Sequence, residues 1–178
     1  MTQARKTTMP RGIKAAPAFL DSTSFVKSVE RTCKTRKLRL TRVRAQVLRL
    51  IANSDKPIKA YSLLELMNLE AELVVDVSIA PITVYRALNF LQSNGFIRKL
   101  VSINAFVPSM YPVDQRLIYF LCLQCSSATE IYNEEMLHTI DDQAKELSFE
   151  PETQSIEVRG NCDKCRLKLR KRHLGLRR

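Results

Sequence analysis

The chain has 178 residues, room for one ordinary domain or two small ones, and its 45% hydrophobic and 26% charged side chains are those of a globular, not a disordered, protein. No apolar run approaches the roughly 20 residues of a membrane span, and the basic start MTQARKTTMPRGIKAAPAF lacks the apolar stretch of a secretory signal. The formal net charge of +11 is uneven, with 3 basic and 11 acidic side chains over residues 111–163 against 26 and 7 elsewhere, the asymmetry of a chain that grips a polyanion with one part only, although charge alone does not choose between nucleic acid and a lipid surface.

Residues 1–20 read as a flexible basic arm, followed by a short amphipathic helix over about 24–36. A second helix is expected over 39–51, with Thr41 as its N-cap and Val43, Val47, Leu48, Leu50 and Ile51 as its apolar face. A third spans 60–67. After a loop of β-branched residues at 73–77, a fourth runs over 79–91, with Pro81 in its first turn and Asn94-Gly95 as its end. Beyond Gly95 the periodicity becomes strand-like at 96–101 and 104–107, a hairpin. Helices closed by a hairpin form a winged helix-turn-helix, placed at 21–107, and 108–112 reads as a linker. The remainder to 166 is a small α/β domain, with strands at 117–121 and 153–158 around a helix at 133–147. The fold class is therefore α+β. A basic tail occupies 167–178; from Lys164 onward the chain has eight basic residues and no acidic one.

Cys122-Leu-Gln-Cys125 closes the first strand of the second domain, and Cys162-Asp-Lys-Cys165 follows the later one. Each CxxC can set two thiolates at adjacent corners of a tetrahedron, and four thiolates form a closed, structural zinc site. A dithiol or buried free thiols would explain one CxxC but not two at strand ends. The 36 intervening residues are too many for a self-contained finger, so the fold and the metal must assemble together. Five cysteines without an export signal point to a reducing cytoplasm. Cys33, alone on the first helix, reads as a small core residue.

In a helix-turn-helix the recognition helix enters the major groove of double-stranded DNA N-terminal end first. Here that end offers Thr83, Tyr85 and Arg86. Arg86 can donate two hydrogen bonds to guanine, and Tyr85 can meet a thymine methyl or a phosphate. Taken singly, Tyr85 is a core aromatic and Arg86 a solvated charge; on a helix that enters a wing, both point to base reading. Arg42, Arg44 and Lys99 are placed to touch phosphates, adding affinity without sequence information. No nucleophile–His–carboxylate set and no phosphate-cradling glycine loop occurs, and Gly totals only 4, so an enzyme acting on a small-molecule substrate is not expected.

RLTRVRAQVL at 39–48, AYSLLELM at 60–67, PITVYRALNFLQSNGFIRK at 81–99, INAFV at 103–107 and the paired CxxC motifs resemble the ferric uptake regulator (Fur) family of bacterial metalloregulators, and within it the zinc uptake regulator (Zur) branch. The resemblance covers about residues 25–165. It implies a cytoplasmic homodimer, dimerised through 113–166, that binds an inverted-repeat operator and represses metal-import genes. It also implies base reading by Tyr61 and Arg86, and one structural zinc per protomer on Cys122, Cys125, Cys162 and Cys165.

Where the branch places its second, sensory zinc, this chain departs from the pattern. The ligand positions carry Arg98, Ser109 and Gln115, and only Glu130 remains; Gln154 stands near a missing ligand of a further site. One carboxylate does not hold zinc tightly, and Arg98 places a fixed positive charge where the cation would sit. A pairing of Arg98 with Glu130 would substitute for the metal bridge. Three readings follow: a regulator that keeps its structural zinc and has lost metal sensing; a zinc-responsive repressor with an atypical site recruiting His138, Cys33 or His173; or a non-sensing subunit acting by dimerisation.

Overall fold

The computed structural model describes residues 14–15, 21–72, 78–152 and 155–175, the side chains of residues 14, 15, 72 and 170–175 excepted. The expected loop at 73–77, Gln154 and the His173 side chain lie outside the described residues.

Four helices build the first core. Helix α1 (Ser22–Thr35) starts where Asp21 accepts the Ser24 N–H at 2.8 Å, and α2 (Arg42–Ala52) starts at Thr41, which accepts the Arg44 N–H at 3.4 Å. Helix α3 (Ala60–Glu72) extends beyond the expected 60–67, and α4 (Pro81–Ser93) follows. Val47, Leu48 and Ile51 of α2, Leu63 and Met67 of α3, and Val84, Leu88 and Leu91 of α4 are all within 1% of full burial. Each such side chain contributes about 1.5–3 kcal/mol of transfer free energy. They meet Phe25, Val26, Val29 and Cys33 from α1 in one cluster, so Cys33 is a core residue, and burial pushes its thiol pKa up.

The chain leaves α4 through Gly95 at φ +77°, the left-handed conformation of a helix C′ residue. A Cβ there would lie 2.7 Å from Val113 Cβ and 2.9 Å from Val113 Cα, so close approach as well as backbone conformation requires glycine. Strands β2 (Ile97–Leu100) and β3 (Ala105–Pro108) pair antiparallel around a 3₁₀ turn at Val101–Ile103, which Asn104 closes at φ +48°. Ile58 adds an isolated antiparallel bridge to β3 by exchanging hydrogen bonds with Phe106 at 3.0 and 2.8 Å.

The second sheet is mixed, in the order β1-β5-β4-β6, where β1 is Lys14–Ala15, β4 Ile118–Cys122, β5 Ala128–Tyr132 and β6 Ile156–Gly160. Strand β4 pairs antiparallel with β5 and parallel with β6, and helix α5 (Glu134–Glu146), capped by Asn133, makes the connection from β5 to β6. Three features depart from the sequence expectation. Strand β5 was not foreseen. Two residues of the supposedly flexible arm form β1 and pair with Tyr132 and Ile131. Helix α6 (Asp163–Gly175) occupies much of what reads as a basic tail.

The hairpin does not stand free of this sheet. Leu100 and Val107 from its rear pack with Leu117, Tyr119 and Leu121, joined by Ile103 and Tyr111.

Candidate metal centre, hinge and reading face

The two CxxC turns converge. Cys122 ends β4, Cys125 follows in its turn, Cys162 lies just past β6 and Cys165 in the first turn of α6, with all four Sγ atoms within 4.8 Å of one another. Cys125 and Cys162 Sγ are 3.8 Å apart, and zinc–sulfur bonds of about 2.3 Å in a tetrahedron require a sulfur–sulfur edge of about 3.8 Å. The electrostatics agree. The N–H groups of Cys162 and Cys125 pull the Cys122 thiol down to about 6, and Cys162 donates to it at 3.3 Å. Hydrogen bonding with Cys162 pushes the Cys165 thiol up to about 12. Four thiolates at this spacing repel one another unless a cation sits among them, so the donor set fits zinc. Bound there, zinc would cross-link β4, β6 and α6. Among the described residues this is the one group of three or more His, Cys, Asp or Glu donors within mutual reach.

The hinge gathers the four positions that the resemblance assigns to a sensory metal. Arg98, at the start of the wing, sends Nη2 to the carbonyls of Pro112 at 2.6 Å and Gln115 at 3.1 Å, and its Nε lies 3.5 Å from Ser109 Oγ. Ser109, 5% exposed, donates to Glu130 Oε1 at 3.2 Å, and the Tyr119 hydroxyl donates to the same oxygen at 2.9 Å. The expected direct pairing of Arg98 with Glu130 is not formed, because the guanidinium is drawn to the two backbone carbonyls and Ser109 stands between. Gln115 contributes its carbonyl. Burial raises the Glu130 carboxyl pKa above the usual range despite the Tyr119 and Ser109 bonds and the nearby Arg98, and the same burial beside Glu130 raises that of Tyr119. One carboxylate, two hydroxyls and a guanidinium do not fit a zinc ion. Two of the donors that an atypical site could recruit lie elsewhere among the described residues. His138 is exposed on α5, 3.7 Å from Glu134, and Cys33 is sealed in the first core.

On the reading face, α4 buries Val84, Ala87, Leu88 and Leu91 and turns Ile82, Tyr85, Arg86 and Asn89 outward. Tyr85 is 51% exposed, which removes the core-aromatic alternative, and Tyr61 at the start of α3 is 69% exposed. Thr83 is half-buried, and Arg42 and Lys99 are exposed. Asn68 of α3 accepts the Ile79 N–H at 2.7 Å and so fixes the entry to α4. Arg44 differs from Arg42: it donates to the Arg39 carbonyl at 2.6 Å and lies 3.6 Å over the Phe90 ring, bracing α2 on α4. The sequence reading missed Tyr119 and Asn68. Tyr119 faces Glu130 across β4 and β5, a register that is visible only once β5 is recognised.

The pattern that defines the ferric uptake regulator family matches residues 35–159. The chain belongs to that family. The zinc uptake regulation protein of Escherichia coli (strain K12) is 37% identical over 147 residues, 79% of this chain and 81% of the relative. The zinc uptake regulation protein of Shigella flexneri matches to the same extent. Among solved structures, holo XcZur is 44% identical, spans 81% of this chain and 98% of its own, and superposes with a TM-score of 0.69. A zinc uptake regulator complexed with zinc and DNA is 32% identical, spans 86% of this chain and 99% of its own, and gives a TM-score of 0.73. The chain is thus a transcriptional regulator of the Zur type and not an enzyme. Among the described residues no helix is long and apolar enough to cross a membrane.

Proposed function

We propose that the protein is a sequence-specific DNA-binding repressor that acts as a homodimer on an inverted-repeat operator. Residues 21–107 form the reading head, 108–112 the hinge and 113–166 the dimerisation domain. Each protomer holds one structural zinc on its four cysteines and reads DNA without a second, exchangeable metal. The relative complexed with zinc and DNA supports the DNA partner. A homodimer is supported by Phe120 and Val158, paired in register and both exposed on the sheet at the β6 edge.

The observation that carries loss of metal dependence is the hinge network. Arg98, Ser109, Glu130 and Tyr119 satisfy one another and two backbone carbonyls, so protein groups tie the wing root to the sheet where the resemblance expects a metal to do so. The test uses a duplex selected by the purified protein from a random pool. After exchangeable zinc is removed by a chelator that leaves one zinc per protomer, affinity for that duplex is expected to stay within twofold. Loss of binding that micromolar zinc restores would overturn the reading in favour of a disguised sensor.

The base-reading and phosphate roles separate by their salt dependence. Arg86→Ala is expected to cost about 1–3 kcal/mol on the selected duplex and to flatten preference among sequences. Arg42→Ala should weaken all duplexes alike and lower the slope of log affinity against log salt by about 1. Equal effects on selected and scrambled duplexes from both variants would sink this division of labour.

A further inference from the structure

The carboxylate of Glu157 lies far in sequence from the wing yet grips its turn. Glu157 sits on β6 and its Oε1 accepts the Val101 N–H at 2.5 Å. Its Oε2 accepts the Ser102 N–H at 3.1 Å and the Ser102 hydroxyl as well. The first N–H groups of a 3₁₀ turn have no partner within the turn itself. Here they are satisfied from another domain, 55 and 56 residues away.

Register explains how. Glu157 pairs with Tyr119 across β6 and β4, and Tyr119 pairs with Glu130 across β4 and β5, so the three stand in one row. Residues directly opposite on paired strands point to the same side of a sheet. Glu130 serves the root of the wing through Ser109, and Glu157 serves its tip. Between the two carboxylates, Leu100 and Val107 pack on Leu117, Tyr119 and Leu121. The hairpin is thus held at both ends and along its middle.

We propose that Glu157 is a positioning residue, a staple that seats the wing on the zinc-holding domain and thereby sets the angle at which the reading head is presented. The inference rests on the homodimer reading above for its effect on DNA, but not for the contact itself. In a two-fold dimer each head must meet its half-site at a fixed spacing, so a head free to rock loses affinity for the repeat and keeps it for a single half-site.

The test compares the full-length wild type with Glu157→Gln, whose amide cannot accept at both positions, and with Ser102→Ala. In Glu157→Gln the Val101 and Ser102 amides are expected to exchange with solvent at least tenfold faster, with zinc content and helical circular dichroism unchanged. Affinity for the selected inverted repeat should fall tenfold or more, against less than twofold for a single half-site, and repeats with altered spacing should be discriminated less. Ser102→Ala should give part of the loss, and combining the two should add little to Glu157→Gln alone. Unchanged amide exchange overturns the staple, and so does an equal loss on half-site and repeat. Should the wild type select no sequence, the DNA-reading proposal fails, while the amide exchange still decides the contact.

Discussion

Cys162→Ser is expected to abolish the stoichiometric zinc and to unfold the second domain while leaving the reading head folded. The four sulfurs join the end of β4, its turn, the exit of β6 and the start of α6. Beyond the strand ladders, those pieces have little apolar packing of their own: Ile118, Ile131 and Leu137 make the only buried cluster lying wholly within this domain among the described residues. Four-ligand zinc sites contribute about 10–16 kcal/mol on binding, as much as the roughly 5–15 kcal/mol of net stability of a whole domain. A hydroxyl in place of one thiolate forfeits much of that. The reading head has its own core of sixteen buried residues on α1–α4 and the wing, and none of the four clustered cysteines belongs to it. Metal analysis should fall from one zinc per protomer to near zero. The strand signal of the second domain should be lost already at low temperature, with the helical reading head melting later in a transition of its own, and sedimentation should report monomer. Cys33→Ser, by contrast, should leave zinc content untouched. A variant Cys162→Ser that keeps one zinc and the full strand signal of the wild type would show that the cluster does not build the domain.

Much of the reading head was legible because its signals are local. Thr41 as cap, Pro81 in a first turn, Gly95 after a helix and the change of period beyond it each act within a few residues, and each lies where those rules place it. The cysteine set was legible for another reason: thiolate pairs are rare and their spacing is chemically specific. What could not be read is what depends on register. Strand β5, Ala128-Thr-Glu-Ile-Tyr, buries only Ile131 and offers no strong alternation, yet it places Glu130 beside Tyr119. Without it, Arg98 and Glu130 look like the obvious partners, and the intervening Ser109 and the carbonyls of Pro112 and Gln115 have no place in the argument. The bracing of α2 on α4 by Arg44, beside the phosphate contact expected of it, could not be read for a similar reason, since its stacking partner Phe90 is 46 residues away on another helix. Helix α6 was missed because its charges are not sorted onto one face, and its start is fixed by a cysteine cluster rather than by an apolar stripe.

Restoring donors to the hinge should turn the regulator into one that obeys zinc. In the triple variant Arg98→His, Ser109→Cys, Gln115→His, Glu130 is joined by two imidazoles and a thiolate, a donor set of the kind that holds zinc tightly. The positions are already brought together: Arg98 reaches Ser109 and the backbone of Gln115, and Ser109 reaches Glu130. Two zinc ions per protomer are expected, one of them removed by a chelator that spares the four-cysteine site. The same change deletes the guanidinium that binds the Pro112 and Gln115 carbonyls, so the zinc-depleted variant should bind the selected duplex at least tenfold more weakly than the wild type. Micromolar zinc should recover most of that loss. Arg98→Ala alone separates the two effects: it removes the guanidinium without adding a ligand, so its affinity should fall and zinc should not rescue it. Relieved of the nearby positive charge, Glu130 in that variant should hold its proton to still higher pH than in the wild type. A triple variant that takes up only one zinc, or an Arg98→Ala protein that binds DNA like the wild type, would mean that the hinge network is an incidental packing of polar groups. If both expectations hold, the guanidinium occupies the role of the missing cation: it carries a positive charge, ties the wing root to the sheet, and cannot be removed by a chelator.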